Sequence, residues 1–239
     1  MKLSIVIPAH NEEGYISNCL DSLNRYIVGD PKLLEIIVVD NASTDKTAEI
    51  ANKFSGVRVV SEPRKGANYA RQKGLEEAKG ELIAYLDADT EISADWLYKI
   101  YEHFQGPKEL ICLSGPAYFF DLSDWHNIAM ETYYNLVAKP THTATGYMVI
   151  GSNFVVKKDA LEQIGGFDTN IPFYGDDANI GRRLSRAGRV EFDKKFMVYT
   201  SGRRMAAEGV VKVSMRYAAN YISETVIRKP ISKRYNDIR

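Results

Sequence analysis

The chain has only two cysteines in 239 residues, Cys19 and Cys112. Two thiols without metal-ligand spacing argue against a disulfide framework and read as buried free thiols in a reducing compartment. A charge surplus is also missing. Lys plus Arg and Asp plus Glu each number 31, whereas a nucleic-acid binder usually shows a basic excess. No run of ~18 apolar residues occurs, so no membrane-spanning helix is expected. The N-terminus enters a strand at once, Lys2 to Pro8, which leaves no room for a signal peptide. Internal repeats, low-complexity tracts and a convincing linker are absent as well. What remains is 45% hydrophobic and 26% charged, the composition of one sizeable globular domain with a cytoplasmic location expected.

The first half alternates strand-like and helix-like segments. Leu3 to Ile7 is a short β-branched run ended by Pro8. Ile16, Leu20, Leu23 and Ile27 recur with helical spacing. Glu35 to Val39 reads as a second buried strand, ended by Asp40. Ser43 is a plausible N-cap for a helix burying Ala48, Ala51 and Phe54. Val57 to Val60 is a third strand, and Ala67 to Ala78 a third helix that stops near Gly80. Leu82 to Leu86 is a fourth strand. This alternation predicts an α/β fold with a mostly parallel sheet covered on both faces. Ligands of such sheets sit beyond the carboxyl ends of the strands. His10-Asn11-Glu12, Asp40, and Asp87-Ala88-Asp89 all fall there.

The second half is less regular. Ile111 to Phe120, Tyr147 to Lys157 and Val190 to Tyr199 read as long strands. Asp159 to Ile164 is a short helix stopped by Gly165-Gly166. Asp176 to Ala187 is a helix with Ile180 and Leu184 inward and Gly188 as a left-handed stop. A C-terminal extension follows. Val211, Met215, Ala218, Ile222 and Val226 share one helical face, and Pro230 ends that helix. From Val210 onward seven Lys/Arg face two acids. Two readings stay open: a helix packed on the domain with a solvated basic tail, or an interfacial helix that meets anionic lipid or another copy. The expected division is 1–204 for the domain and 205–239 for the extension.

Asp87 and Asp89 flank one small residue at the end of a buried strand. Alternation can aim both at one point, and two adjacent carboxylates call for a cation. The segments Val6-Ile7-Pro8-Ala9-His10-Asn11-Glu12-Glu13, Val38 to Thr47, and Leu86-Asp87-Ala88-Asp89 together resemble the family 2 glycosyltransferases of GT-A fold, in order and spacing, from about residue 2 to residue 204.

That resemblance implies an inverting transfer from a nucleotide-diphosphate sugar, a UDP-sugar foremost, to an acceptor hydroxyl. Asp40 would accept a hydrogen bond from the base, and a capping or turn role is its alternative. Pro8 and Ala9 would line the nucleoside. Glu12 would lie near the ribose, or else be an exposed first-turn glutamate. Arg64, Lys65, Gly66 and Arg71 would lie near the diphosphate, with a structural ion pair as the other reading of Arg71. Asp89 would be the more direct ligand of Mg²⁺ or Mn²⁺. Asp87 would lie nearer the ribose or the metal's water shell, with Ala88 between them.

On the acceptor side, Gly151-Ser152-Asn153 resembles the family's Gly-rich loop. Gly175-Asp176-Asp177-Ala178-Asn179-Ile180 resembles its Glu-Asp-x-Asp-Leu pattern. Asp177 would be the base, its charged form favoured by the helix start and opposed by Asp176. Asp176 and Asn179 depart from the family's commoner Glu and Asp. Arg203 and Arg204 resemble diphosphate or acceptor contacts, and His142 is a candidate third metal ligand or acceptor contact. The Gln-x-x-Arg-Trp of processive members is absent. The acceptor would be a glycan or lipid-linked, as in cell-surface polysaccharide or glycolipid synthesis, with peripheral contact at the inner membrane face or a homodimer through the C-terminal helix. Two rivals remain. A sugar-1-phosphate nucleotidyltransferase would want a Gly-rich basic N-terminal loop, which Pro8 to Glu12 is not. A non-catalytic nucleotide-sugar binder would tolerate loss of Asp177.

Overall fold

A computed structural model describes residues 1–106, 109–171, 174–228 and 231. Its first half follows the sequence pattern: β1 Leu3–Ala9, α1 Ile16–Tyr26, β2 Leu33–Asp40, α2 Thr47–Ala51, β3 Val57–Ser61, α3 Ala67–Glu77 and β4 Leu82–Leu86. A short β5, Thr90–Ile92, and α4, Trp96–Phe104, follow. The second half holds β6 Leu110–Ser114, β7 Ala117–Phe119, α5 Asp124–Tyr133, a π-helical stretch Tyr134–Ala138, α6 Lys139–Thr145, β8 Asn153–Lys157 and α7 Lys158–Gln163. After these come α8 Asp176–Leu184, β9 Arg189–Phe192, β10 Val198–Thr200, α9 Arg203–Glu208 and α10 Val210–Val226.

Seven strands form the main sheet in the order β3-β2-β1-β4-β8-β6-β9. It is mostly parallel, and β8 runs antiparallel to both β4 and β6. Strand alternation divides the core between its two faces. Leu3, Ile5 and Ile7 pack with Leu82, Ala84, α1 and α4 on one face. Val6, Ile37, Ile83 and Tyr85 pack with Ala70, Leu75, Leu161, Ile180 and Leu184 on the other. Every residue of β4 is fully buried, and each large apolar side chain so placed contributes about 1.5–3 kcal/mol. A Cβ at Gly74 would lie 2.2 Å from Val6, so α3 can press against β1 only there with glycine.

Several expectations change. Ser43 caps no helix, because residues 41–46 form an irregular loop and α2 begins at Thr47. The expected strand 111–120 breaks at Gly115-Pro116, and its two parts join different sheets. Pro116 has no N–H for a ladder, and a Cβ at Gly115 would collide with the Phe196 carbonyl. The expected strand 147–157 is extended ladder only from Asn153 onward. The expected strand 190–199 divides into β9 and β10 around a turn in which Asp193 carboxylate accepts the Lys195 N–H. Helix α8 ends at Leu184 rather than Ala187. Gly188 is not left-handed; it is glycine because a Cβ would meet Ile111 and the Glu109 carbonyl. By contrast Gly165 and Gly166 do stop α7 with positive φ, 79° and 69°.

Of the two open readings of the C-terminal helix, packing through its apolar face is not the one seen in α10, where Met215 is 68%, Ile222 61% and Val226 73% exposed. Val213, Asn220, Ser223 and Glu224 are buried instead. The side chain of Val211 and the expected stop at Pro230 lie outside the described residues. No described helix is long and apolar enough to cross a membrane.

Candidate active site

The parallel register sets Ala9 beside Asp40, so the loops after β1 and β2 start side by side. They interlock. Asn11 N–H donates to Ser43 Oγ at 3.1 Å, Thr44 N–H to Asn11 Oδ1 at 2.8 Å, and Glu12 N–H to Thr47 Oγ1 at 2.7 Å. Asn11 and Ala42 take positive φ, 51° and 56°. Ala has no side-chain compensation there, and such strain gathers at functional loops. Asp40 is half-buried, and its Oδ1 accepts the Ser43 N–H at 3.3 Å.

Asn41 is a residue that the sequence reading passed over. Its buried amide donates to the carbonyls of Glu62 (3.0 Å) and Arg64 (2.7 Å) and accepts the Gly66 N–H at 2.7 Å. The basic segment is thereby tied to the end of β2. Lys65 is exposed there and Gly66, at φ 150°, opens α3. Arg64 turns back onto Glu62, with Nε 2.8 Å from Oε1.

Asp87 and Asp89 follow β4. Asp87 keeps 43% of its side chain exposed, whereas Asp89 is enclosed. The small sheet β5-β10-β7 explains the enclosure. Thr200 pairs with Thr90 across β5 and β10, and its hydroxyl donates to Asp89 Oδ1 at 3.1 Å. Arg203 Nη2 lies 3.0 Å from Asp89 Oδ2 and donates to Glu12 at 2.6 and 2.8 Å, with its guanidinium 4.5 Å from the Tyr15 ring centroid. Glu12 is therefore a buried partner of Arg203 rather than an exposed first-turn residue. Burial pushes Asp89 up to about 7, Asp87 adds to the rise, and Arg203 opposes it. Asp121, also overlooked, holds the turn before Arg203 by accepting from Ser201 Oγ at 2.5 Å and Gly202 N–H at 2.6 Å.

Arg71 joins this end of the site to the other. Its guanidinium is buried, 2.6 Å from Asp176 Oδ2 and 3.4 Å from Asp87 Oδ1. Burial alone would pull its pKa down, but Asp176, Asp87 and Asp177 hold it firmly protonated. Arg71 forms ion pairs with Asp176 and Asp87. Asp177 lies beside Gly151, whose N–H donates to Oδ2 at 3.0 Å. A Cβ on Gly151 would fall 2.4 Å from Asp177 Oδ1 and 2.8 Å from Arg71 Nη2, so any larger residue would displace both. The expectation that the helix start favours charged Asp177 does not hold. Burial pushes its carboxyl up to about 8, Asp176 adds to the rise, and Arg71 opposes it. A helix terminus contributes only about 0.3–1 kcal/mol at ordinary sites, less than this desolvation. Burial also pushes Asp176 up, but the adjoining guanidinium pulls against it. Asp176 meets the guanidinium directly at 2.6 Å, whereas Asp177 meets the Gly151 N–H.

Helix α3 carries the same cross-link further. Asn68 Nδ2 donates to the Asp168 (2.9 Å) and Ile171 (3.2 Å) carbonyls, and Gln72 Oε1 accepts the Phe167 N–H at 3.0 Å. Other expected residues are not gathered. Asn153 is fully buried, accepting from Trp96 Nε1 at 3.0 Å and donating to the Phe196 carbonyl at 2.7 Å. Its amide is a core strut, not an acceptor contact. His142 sits on α6, its Nε2 2.9 Å from the Val190 carbonyl of β9. Three strand spacings separate β9 from β4, roughly 14 Å, so His142 is not a ligand beside Asp89. Ser152 is half-buried next to Gly151. Arg204 Nη1 lies 3.5 Å from Glu208.

The comparisons with known proteins bear on the fold and the family. The mannosyltransferase PcManGT of Pyrobaculum calidifontis, solved with GDP-Man and Mn²⁺, superposes with a TM-score of 0.76 at 20% identity, covering 97% of this chain and 65% of that one. The Mycobacterium tuberculosis glucosyl-3-phosphoglycerate synthase with Mn²⁺, UDP and glucosyl-3-phosphoglycerate gives 0.61 at 19% identity, covering 94% and 79%. Both likenesses show the GT-A fold. The Haloferax volcanii glycosyltransferase AglE is 27% identical over 78% of this chain, and the chain spans 62% of AglE's length. It spans 20% of GlyA from Streptococcus pneumoniae, at 29% identity over 57% of this chain. Residues 4–165, more than half of the chain, match the model of glycosyl transferase family 2, and the chain belongs to that family.

Proposed function

We propose that the protein transfers a sugar from a nucleotide diphosphate to an acceptor hydroxyl, with inversion and with a divalent cation. One observation carries the reading: a single buried guanidinium, Arg71, lies between the carboxylate that follows β4 and the aspartate pair that opens α8. Carboxylates from both halves of the chain thus meet around one guanidinium.

Asp177 takes the proton of the attacking hydroxyl, for which a raised carboxyl is suited near neutral pH. The Gly151 N–H fixes which Asp177 oxygen faces the reaction. Asp176 faces Arg71 at 2.6 Å while Asp177 faces the Gly151 N–H, which makes the pair asymmetric. Asp40 accepts the imide N–H of the base. Both uracil and guanine offer such a donor, and uridine is the reading that the family resemblance favours. Arg203, beside Asp89, and exposed Lys65 would supply positive charge to a diphosphate.

The residues present fit a hard divalent cation. Asp87 is half open and Asp89 adjoins it. Mg²⁺ or Mn²⁺ would be held by these one or two carboxylates, with phosphates completing the shell. When bound, such an ion neutralises charge on the departing diphosphate. The outward apolar face of α10 supports a lipid-linked acceptor reached from a peripheral position, and flotation with anionic vesicles tests that part.

The central test measures transfer and donor hydrolysis separately in Asp177→Asn and Asp89→Ala. Loss of transfer in both is expected, with nucleotide binding kept in Asp177→Asn. Undiminished transfer in either removes the role given to that residue. A thermal-shift panel of UDP- and GDP-sugars with Mn²⁺ names the donor.

A further inference from the structure

The family pattern has an aspartate where this chain has Asn179, and the structure supplies a reason. Asn179 lies on α8, two residues after Asp177, and is buried. Its Nδ2 donates to Glu224 Oε1 of α10 at 2.9 Å, and Arg182 Nη2 donates to the same oxygen at 2.9 Å. Glu224 is completely buried. An aspartate at 179 would set a second carboxylate against it.

This contact is a poor source of stability. Glu224 Oε2 and Arg182 Nε are both buried and without a partner among the described residues. Buried ion pairs with unmet atoms add little net stability, and their best-attested use is to fix register. The rest of α10 grips the same neighbourhood. Arg216 Nη1 donates to Tyr174 Oη at 2.6 Å. Thr225 Oγ1 lies 2.9 Å from Tyr147 Oη, and Tyr221 Oη donates to the Tyr147 carbonyl at 3.2 Å. Tyr174 precedes Asp177 by three residues, and Tyr147 precedes by four the Gly151 whose N–H holds Asp177. Helix α10 therefore braces the segments before, after and opposite the base.

We propose that α10 is the seat of the acceptor-side base, and that Glu224, through Asn179 and Arg182, fixes the rotation of α8 and so the place of the Asp177 carboxylate. The proposal rests on the reading of Asp177 as the base. Glu224 and Asn179 are positioning residues. A displacement of about 1 Å in a catalytic group can lower a rate about 10²-fold, so a small turn of α8 is enough to matter.

The experiment compares Asn179→Asp, Glu224→Met and the exchange variant Asn179→Asp/Glu224→Gln with wild type and Asp177→Asn. Turnover and donor KM are measured well below each melting temperature. Asn179→Asp should lower kcat about tenfold or more while donor KM stays within about twofold. The exchange variant, which returns one carboxylate and one amide to the contact with Arg182 still alongside, should recover kcat to within about threefold of wild type. Glu224→Met keeps the proposal testable should Asn179→Asp fail to fold, and it should show the same loss of kcat at unchanged donor KM. Wild-type kcat in folded Asn179→Asp or Glu224→Met, beside an inactive Asp177→Asn, overturns the seating role alone. An exchange variant as slow as Asn179→Asp also overturns it. Undiminished transfer in Asp177→Asn overturns the base assignment and this proposal together.

Discussion

In the first half of the chain Asp40, Asp87 and Asp89 stand where they do because each follows a strand of the parallel sheet. In the second half Asp176, Asp177 and Arg203 are held by partners far away in sequence: Arg71, Gly151, Glu12 and, through α8, Glu224. The donor end is a product of local pattern plus topology. The acceptor end is a product of tertiary contact. One consequence is electrostatic. Asp87 stays near solvent, whereas Asp89, covered by Thr200 and Arg203, and the contact-held pair are enclosed and their protonation is set by burial and neighbours.

The sharpest way to break this contrast is Asp177→Asn. Transfer should fall by about 10²–10⁴-fold, the range for loss of a general base. Stability should move the other way. Native Asp177 holds its proton up to about pH 8, whereas a free aspartate releases it near 3.8. Its contribution to stability is therefore full in acid and is lost as pH rises through that window. The amide variant should melt higher than wild type, by little at pH 4 and by at least about 3 °C at pH 8. Calorimetry at both pH values checks it, and an equal or lower melting point at pH 8 rejects the buried-carboxyl reading. In wild type, kcat/KM should climb with pH along an acid limb centred near 8.

Arg71→Ala comes next, because it severs the two halves from one another. It leaves Asp87 and Asp176 without their shared counter-charge, and removal of one partner from a buried pair costs about 3–5 kcal/mol. Urea unfolding should show that loss, and the acid limb of kcat/KM should move to higher pH. Arg71→Lys should recover only part, since one ammonium cannot reach Asp176, Asp87 and the Gly151 carbonyl as a fork does. Full rescue by lysine would mean that charge alone, and not geometry, links the ends.

Asn41→Ala probes the donor half by itself. It leaves the Gly66 N–H and the Glu62 and Arg64 carbonyls unmatched, at about 1–3 kcal/mol in all. Donor KM should rise about tenfold with kcat nearly kept, because the basic segment loses its tie while Asp177 does not. A fall in kcat at constant KM would show that the halves are not separable in this way.

What could be read from the sequence follows the same division. Strands β1 to β4 and helices α1 and α3 were legible because apolar runs and helical spacing are local signals, and their order fixes where Asp40 and Asp87 emerge. The second half was misread wherever a local pattern ran across a tertiary break. Ile111 to Phe120 looks like one strand, yet Gly115-Pro116 hands it from one sheet to another. The small sheet that brings Thr200 and Arg203 to Asp89 left no mark, since strands of three residues carry too little pattern. The family resemblance singles out Asp177 as the candidate base, but not its shifted protonation, because burial is a property of the folded chain. Asn41 sat inside a recognised motif, and only its three bonds reveal what it does.

The smallest expected effect tests the least legible element. Helical spacing groups Met215, Ile222 and Val226 on one face, and ordinary amphipathic logic would turn that face inward. The structure instead buries the face with Val213, Asn220, Ser223 and Glu224, which meets α8 through Glu224, and Phe119 and Met205 through Val213. Met215→Ser and Ile222→Ser should then change stability by no more than about 0.5 kcal/mol each, the usual range for exposed sites. If the stripe were the packed face, each would cost about 2 kcal/mol or more from lost apolar burial alone. Urea midpoints at constant m-value separate the two outcomes. A near-zero result leaves the opposite face, with Val213 packed against Phe119 and Met205, as the side on which the helix docks.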